Sequence, residues 1–215
     1  MSAPILTPEK ARLFRIVHVD NVPWVLRHGL HCRNSPQQDP NYVNIGSASL
    51  IDKRARRQVP IPPGGTLSDY VPFYFTPWSI MMFNIHTGSG GIPKRQNKDI
   101  VIFVTSVHLV HELGLPFIFT NQHAYAAGTE FFSEIADLTR IDWPLLNSRN
   151  FKTDDADPNK QVRYQAEALV HGQLPLNALL GLGCHNDDIR RKLESQIADA
   201  GLKLTVKTTP SWYFQ

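Results

Sequence analysis

The chain has 215 residues, of which 42% are hydrophobic and 19% are charged, a balance typical of a globular protein in water. It contains no run of about 18 apolar residues, so we expect no membrane span, and its first eight residues lack the pattern of a secretory signal. Because Cys32 and Cys184 are too few for a disulfide framework, we expect a reducing, cytoplasmic setting. The net charge of +3 permits a polyanionic partner without requiring one.

Prolines and glycines divide the first half of the chain into short elements. A β-branched run predicts a first strand over residues 16–19. Asn21 as a possible cap, proline in the first turn and glycine after the end predict a helix over 22–27. Polar residues predict a loop over 33–47. Further along, we predict short helices over 51–57 and 79–85 and a strand over 71–75.

The clearest buried strand covers residues 100–104, all of them β-branched or aromatic. A helix over 107–113 and a strand over 117–120 are predicted to follow it. His108 and His111 lie on that helix, but their spacing differs from the zinc-protease motif. We therefore favour a structural helix there and expect no metal site.

The last region begins with a helix that Asn186 or Asp187 is expected to cap and Gly201 to end. Its apolar residues recur at i, i+4 and i+8, which gives the helix one buried face. A final strand is predicted over 202–208. Because helices and short strands are mixed without a regular βαβ period, we expect one α+β domain over residues 1–215.

Residues 163–170 carry a strand-like alternation. In a strand, Arg163, Gln165 and Glu167 would share one face and the mainly apolar residues between them the other. A polar face of that kind is costly to bury unless its groups are paired or face a ligand. A solvated edge strand is the alternative. The polar stretch 143–162 directly before it is predicted to be a long loop, and long loops are often functional.

Two further features allow both a structural and a functional interpretation. His18 lies on an apolar strand shortly before Asn21, which fits a satisfied core histidine followed by a helix cap. The basic run 53–57 fits a solvated helix face. Helical spacing nevertheless separates Arg54 from the other cations, so Arg54 can line a cleft while they stay in water or meet phosphates.

Taken together, these segments resemble the DarT family of DNA ADP-ribosyltransferase toxins. The matching stretches are 18–21 with 29–30, 45–54, 64–77, 119–124 and 164–170. The Asp-Tyr-Val-Pro-Phe-Tyr-Phe run at 69–75 and the Gln-Ala-Glu run at 165–167 are the most specific. The resemblance covers about residues 12–207. One departure is Trp78, which stands where many members have an arginine and bears on the choice of acceptor.

The resemblance implies an ADP-ribosyltransferase-like fold, a split central β-sheet with flanking helices. It also implies NAD as the donor and a nucleobase of single-stranded DNA as the acceptor, with thymine favoured and guanine possible. Cleavage of the nicotinamide–ribose bond has an oxocarbenium-like transition state, which a positioned carboxylate stabilises. Glu167 is the candidate for that carboxylate. Arg54 is expected to pair with the diphosphate or to assist the reacting base.

The resemblance further implies which residues bind NAD. His18 would hold the nicotinamide ribose, and Asn21 would hydrogen-bond the nicotinamide end. Tyr74, which alternates away from its aromatic neighbours on the predicted strand, would wall the nicotinamide pocket. Ile45 lies in a matching stretch and is assigned to NAD binding.

On the acceptor side, Gln165 is expected to reach the DNA base, and His123 is a second candidate. The loop at 143–162 is expected to select the acceptor. DNA-binding residues are expected to be Arg149, Phe151 and Lys152, with further positive charge from Lys53, Arg56, Arg57, Lys94, Arg95 and Lys160. Phe151, Trp78 and Trp143 could stack on bases, although each aromatic taken singly fits a core position better.

Two other classes of function stay open on sequence grounds. The same catalytic residues would serve transfer to protein or RNA. A catalytically silent nucleic-acid-binding domain is the other alternative, against which the presence of Glu167, Gln165, His18 and Arg54 argues. A toxin of this family would imply a macrodomain antitoxin that removes the modification, and we expect the chain to be a monomer.

Overall fold

A computed structural model describes residues 5–215. Residues 1–4, where the prediction of no secretory signal partly falls, lie outside the described residues. The described chain forms ten strands: β1 Arg12–His18, β2 Leu30–His31, β3 Tyr70–Tyr74, β4 Ile100–Ser106, β5 Phe117–Thr120, β6 Phe131–Phe132, β7 Glu167–His171, β8 Gln173–Leu174, β9 Gly181–Cys184 and β10 Val206–Thr208.

Seven α-helices connect or flank these strands within residues 5–215. They are α1 Val22–His28, α2 Ala48–Arg54, α3 Ile80–Thr87, α4 Val107–Glu112, α5 Trp143–Ser148, α6 Lys160–Arg163 and α7 Asp187–Asp199. None of these helices combines the length and apolar character that crossing a bilayer requires.

The main sheet has the strand order β10-β9-β4-β1-β3-β7-β5-β6, and β2 pairs separately with β8. Strands β9 and β10 are parallel, whereas the other neighbours are antiparallel. Strand β1 pairs with β4 along its whole length but meets β3 only where Phe14 lies opposite Tyr74. The sheet therefore divides between β1 and β3, and the prediction of an α+β fold with a split sheet is confirmed.

The core is centred on β4, whose residues are all buried. The burial of residues along strand β3 shows which face of the sheet is open. Val71 and Phe73 are buried, while Tyr74, pointing the other way, is only half-buried. The alternation predicted for Tyr74 is confirmed.

Most predicted elements occur within a few residues of their expected bounds. Helix α1 ends before Gly29, which has a left-handed φ of 83°. Helix α7 is capped by Asn186, whose Oδ1 accepts the Ile189 N–H at 3.0 Å. Helix α2 begins and ends earlier than predicted because Ser47 caps it, its Oγ accepting the Leu50 N–H.

The strand predicted over 163–170 is wrong in its first half. Arg163 ends helix α6, and only Glu167 and the residues after it form β7. The Arg163 guanidinium bonds both carboxylate oxygens of Asp157, at 2.9 and 2.7 Å, and Asp142 Oδ2 at 3.2 Å. These ion pairs hold the helical turn, so Arg163 does not share a strand face with Glu167.

The loop predicted over 143–162 is likewise shorter than expected, because α5 and α6 occupy its two ends. Asp142 caps α5 through the Leu145 N–H at 3.0 Å. The last predicted strand, 202–208, is reduced to β10. Strands β2, β6, β8 and β9 were not predicted; they are short, and β9 contains two glycines.

Candidate active site

Glu167 opens strand β7, directly opposite Tyr74 of β3. Its side chain lies on the half-open face of the sheet, yet the residue is only 3% exposed. A carboxylate is almost never buried to this extent without partners, because its charge is costly to remove from water. The surrounding residues supply those partners.

Arg54 is the first partner. Helix α2 carries it over the sheet, where its Nη1 donates to Oε2 of Glu167 at 2.9 Å and to Oε1 at 3.1 Å. The prediction that Arg54 points away from the other cations of the run 53–57 and into a cleft is confirmed, since Arg54 lines a cavity with Glu167. Its second terminal nitrogen, Nη2, is buried and has no hydrogen-bond partner in the described chain.

The turn after β5 supplies the second partner. The Ala124 N–H donates to Oε1 of Glu167 at 2.9 Å. His123 Nδ1 lies 3.9 Å from the same oxygen. That nitrogen accepts the Tyr125 N–H at 3.1 Å, so the other ring nitrogen carries the proton in the neutral form. Burial lowers the pKa of His123, and the charge of Glu167 only partly offsets this. His123 is therefore a neutral neighbour of Glu167 rather than the cation of an ion pair.

The carboxyl of Glu167 is held ionised. Burial by itself would favour the protonated acid, but the Arg54 guanidinium and the Ala124 N–H favour the charged form. Together they hold the pKa of Glu167 below its usual value. The site thus presents a fixed negative charge at neutral pH.

Tyr74 stays a phenol beside this charge. Burial and the charge of Glu167 raise the pKa of Tyr74 well above its usual value. Its hydroxyl lies 3.4 Å from Met81 Sδ on helix α3. The ring therefore forms a fixed wall of the site.

These groups lie in one cleft of about 440 Å³. Its lining includes Arg15, Tyr42, Ile45, Arg54, Tyr74, Met81, His123 and Glu167. Of the residues assigned to NAD, Tyr74 and Ile45 line the cleft. His18 and Asn21 do not.

His18 and Asn21 instead hold backbone close to the cleft. His18 Nδ1 accepts the Asp20 N–H at 3.3 Å at the end of β1. Asn21 is buried, and its amide pairs with both the N–H and the carbonyl of Val43, at 2.8 and 2.9 Å. Asn21 thereby fixes the segment 33–47, which contributes part of the cleft wall.

Arg15 and the Ala124 N–H are among the contributors to the site that were not predicted. Arg15 of β1 lines the cleft, with Nη1 donating to the Pro72 carbonyl at 2.9 Å and a buried Nε that has no partner in the described chain. An arginine between the apolar residues Phe14 and Ile16 was the available signal. The Ala124 N–H has no side-chain signature, so no sequence pattern could have identified it.

The predicted acceptor residues lie apart from the cleft, His123 excepted. Gln165 is in the turn between α6 and β7 and donates to the Gln161 carbonyl at 3.1 Å. Phe151 packs against Phe83, Tyr164 and Phe214. Arg149 lies over the Trp78 ring, 3.6 Å from its centre.

Several residues expected at the DNA surface have other roles. Trp78 and Trp143 are buried; Trp78 Nε1 donates to the Ser211 carbonyl, and Trp143 packs against Phe75. Both thus follow the core interpretation favoured for each aromatic, and their buried rings offer no stacking surface. Lys94 and Arg95 line a second cavity instead of the cleft. Lys160 pairs with Asp154, whereas Lys53, Arg56 and Lys152 are exposed.

No group of three or more metal-ligating side chains occurs between residues 5 and 215. The site therefore consists of a buried, ionised glutamate with an arginine partner on a split sheet.

A family described as "ssDNA thymidine ADP-ribosyltransferase, DarT" matches residues 14–214. The chain belongs to the DarT family. A DNA ADP-ribosyl transferase of Escherichia coli O127:H6 (strain E2348/69 / EPEC) is 48% identical over 209 residues, which are 97% of this chain and 96% of the relative.

Solved structures agree with this membership. DarT of Thermus sp. 2.9 in complex with ADP-ribosylated ssDNA has a TM-score of 0.89 at 29% identity, covering 96% of this chain and 98% of that one. The same protein in complex with NAD+ has a TM-score of 0.85 at 28% identity, covering 96% and 99%. Thermosipho africanus DarTG in complex with ADP-ribose, at 19% identity and a TM-score of 0.77, shares the fold over 94% of this chain and 51% of its own.

Proposed function

We propose that this chain transfers ADP-ribose from NAD+ to thymidine in single-stranded DNA, with Glu167 as the catalytic carboxylate. The observation that carries the proposal is the ionised Glu167, buried at the cleft and held by Arg54 and the Ala124 N–H. The family description supports thymidine as the acceptor. The Thermus DarT complexes support NAD+ as the donor and single-stranded DNA as the acceptor strand.

The cleft fits a donor that carries a diphosphate. Arg54 Nη2 and Arg15 Nε are buried N–H donors without partners in the described chain, and both residues line the cleft. Buried donors are rarely left unpaired in a protein on its own. Guanidinium groups hold phosphate oxygens well because they stay charged and donate in a planar fork. Arg15 and Arg54 would therefore bind the diphosphate of NAD+, while Tyr74 and Ile45 would wall the nicotinamide end.

Glu167 would act on the reacting ribose. NAD+ supplies a ribose whose bond to nicotinamide breaks through an oxocarbenium-like transition state. A carboxylate already held in place stabilises this positive charge without reorganising. Arg54 keeps the carboxylate charged and oriented through two hydrogen bonds from one nitrogen.

The base proton would also go to Glu167. A thymine ring nitrogen must lose a proton as its bond to the ribose carbon forms and nicotinamide leaves. His123 is unsuited to accept it, since its Nδ1 already accepts the Tyr125 N–H and its other nitrogen carries hydrogen. Glu167 is ionised and beside the cleft, so one of its carboxylate oxygens can take the proton.

The family supports a wider setting. We propose that the chain is a monomeric, cytoplasmic toxin whose modification a macrodomain antitoxin removes. Growth arrest on expression, relieved by a co-expressed macrodomain hydrolase but not by its inactive variant, is the expected result. Arrest that the hydrolase leaves unchanged would contradict the antitoxin part.

The acceptor is tested by supplying radiolabelled NAD+ with matched substrates. These are single-stranded DNA oligonucleotides with one thymine or one guanine at the same position, the corresponding RNA with uracil, and a protein mixture. We expect label on the thymine oligonucleotide, with ADP-ribose located on that base by mass spectrometry. Label on guanine, RNA or protein only would contradict the assignment to thymidine.

A further inference from the structure

A second cavity, of about 580 Å³, lies where the segment after α3 meets the start of α7. Its lining includes His86, Lys94, Arg95, Lys98 and His185, and we call it the basic cavity. No carboxylate is among the residues that line it. None of its lysines or its arginine forms an ion pair within residues 5–215. Within the described residues, these three cations are therefore not held in salt bridges.

Two buried nitrogens of the lining also lack partners. Arg95 Nε and His86 Nδ1 have no hydrogen bond in the described chain, although both atoms are out of contact with solvent. Buried polar atoms are nearly always paired in native proteins, with protein, water or ligand. Their occurrence in a lining that also carries Lys94 and Lys98 favours a site for an anion.

The carboxylates nearest in sequence are already hydrogen-bonded, one of them to the backbone of Gln96 in the cavity lining. Asp99 Oδ2 accepts the Gln96 N–H at 3.1 Å, and Asp187 bonds Thr208 and Arg190. The walls are also fixed. Asn97 Nδ2 donates to the Phe214 carbonyl at 2.8 Å, and Asn186 caps helix α7. Hydrogen bonds thus fix parts of the cavity wall, while Lys94 and Lys98 are exposed.

We propose that the basic cavity binds a backbone phosphate of the DNA strand whose base is modified, which rests on the proposed function. Helix α3 connects the two sites. Met81 lines the cleft, and His86, five residues later and about 7.5 Å along the helix axis, lines the basic cavity. Five residues also turn the helix by about 140°, so the two side chains lie on different sides of α3. A strand with its base in the cleft would pass around this helix to place a flanking phosphate in the cavity. Lysine and arginine are the usual phosphate partners.

A free nucleotide is the other source of a phosphate. The lining favours the strand, because it contains no Phe, Tyr or Trp on which an isolated base could stack. The ring of His185 already packs against Tyr213, with 5.3 Å between centres. A site that binds phosphate but offers no aromatic ring for stacking suits the backbone of a DNA strand better than a free nucleotide.

The test compares Lys94→Gln/Lys98→Gln and Arg95→Gln with the control Lys10→Gln/Lys203→Gln. The control removes two exposed lysines that line neither cavity. Each protein is assayed with a long thymine oligonucleotide and with a trinucleotide confined to the cleft. We expect KM for the long strand to rise about tenfold in both cavity variants. The log–log slope of affinity against salt should become shallower by about 0.7 for each phosphate that a variant no longer neutralises. KM for the trinucleotide and for NAD+ should not change.

Direct binding separates this proposal from the proposed function. Fluorescence anisotropy of a labelled oligonucleotide should show weaker binding by the cavity variants even if the chain modified no DNA. Inorganic phosphate and ADP are titrated while the imidazole NMR signals of His86 and His185 are followed. Unchanged KM and unchanged oligonucleotide affinity in both cavity variants would overturn the proposal. The proposal would also be overturned if ADP bound at the basic cavity while the cavity variants kept their KM and affinity for DNA. The phosphate bound there would then belong to a free nucleotide.

Discussion

Glu167 and Arg54 form a pair whose burial suits chemistry more than stability. Removing two charges from water costs several kcal/mol per ion, which their attraction only partly offsets. Here one of the two Arg54 terminal nitrogens is bonded and the other is left without a partner in the described chain. A pair kept for stability alone would have that donor satisfied. The unpaired nitrogen is instead available to a ligand in the cleft.

We predict that Arg54→Gln moves the acid limb of the pH–rate profile to higher pH. Glu167 is active when ionised, and Arg54 holds its pKa below the usual value against the effect of burial. Without the guanidinium, burial dominates and the pKa rises, so activity is lost at a higher pH as the solution is acidified. The profile of kcat against pH measures this directly.

Arg56→Gln is the matched control, because Arg56 is exposed and belongs to the same basic run. Its acid limb should coincide with that of the unmodified protein. If Arg54→Gln also leaves the acid limb in place, then Arg54 does not set the charge state of Glu167.

Single side chains of the site could largely be predicted from sequence. Glu167 and Tyr74 lie in the two most specific motifs and Arg54 in another matching stretch, and the structure brings the three together. The Ala124 N–H could not be predicted, since any residue but proline offers the same donor. His123 was assigned to the acceptor, but its position beside Glu167 follows from a turn that no local pattern describes.

At the level of elements, the segment 33–47 has no helix or strand of its own and is held by side-chain contacts. Asn34 Nδ2 donates to Asp69 Oδ1 at 2.7 Å near its start. At its other end, Asn21 pairs with both backbone groups of Val43, and Tyr42, Asn44 and Ile45 around it line the cleft. The part of the segment that lines the cleft next to Val43 is therefore anchored by Asn21.

We predict that Asn21→Ala lowers stability and raises KM for NAD+ with a smaller effect on kcat. Two partly buried backbone groups would lose their partner, which costs up to about 1–3 kcal/mol. Thermal unfolding and steady-state kinetics measure both effects. Asn41→Ala, at an exposed side chain in the same segment, should leave stability and KM nearly unchanged. Unaltered KM in a destabilised Asn21→Ala protein would separate the segment from NAD+ binding.

The clearest error at this scale concerns the residues before Glu167. A two-residue alternation over 163–170 predicted one strand, but α6 occupies its beginning. The helical turn is fixed by the pairing of Arg163 with Asp157 and Asp142, the latter 21 residues away. A short alternating pattern carries no information about such distant partners. By contrast, β4 could be predicted because its uninterrupted apolar run is itself the cause of its burial.

For the whole molecule, the acceptor must enter a cleft whose catalytic carboxylate is 3% exposed. A paired base cannot reach such a group without leaving the duplex, and unpairing costs a few kcal/mol. Positive charge is available beyond the cleft on exposed Lys53 and Arg56 and in the basic cavity. The strand would therefore be held mainly through its phosphates.

We predict that single-stranded DNA is modified in strong preference to a duplex of the same sequence. Its apparent KM should rise steeply with salt, because each phosphate that the protein neutralises releases counterions on binding. Initial rates with one labelled thymine strand, alone and annealed to its complement, give the comparison across a salt series. Equal rates on both forms, independent of salt, would show that the acceptor is not held as an unpaired strand.

The local patterns of the sequence predicted only a mixed α+β fold. The split central sheet was predicted from the resemblance to DarT. The division of the sheet between β1 and β3 depends on pairing between strands far apart in the chain. The basic cavity shows the same limit. His86 and His185 lie 99 positions apart in the chain and meet only in the folded molecule.

Glu167→Gln tests the central claim most directly. The amide keeps the shape and the hydrogen-bond acceptor but removes the charge. Transfer to thymine DNA under single-turnover conditions should fall by about 100-fold or more, since one preorganised electrostatic group contributes ~2.7–4 kcal/mol to the transition state. NAD+ affinity by calorimetry should change far less. Glu130→Gln, at an exposed glutamate paired with Arg140, should transfer normally. Near-normal transfer by a folded Glu167→Gln protein would contradict the assignment of Glu167 as the catalytic carboxylate.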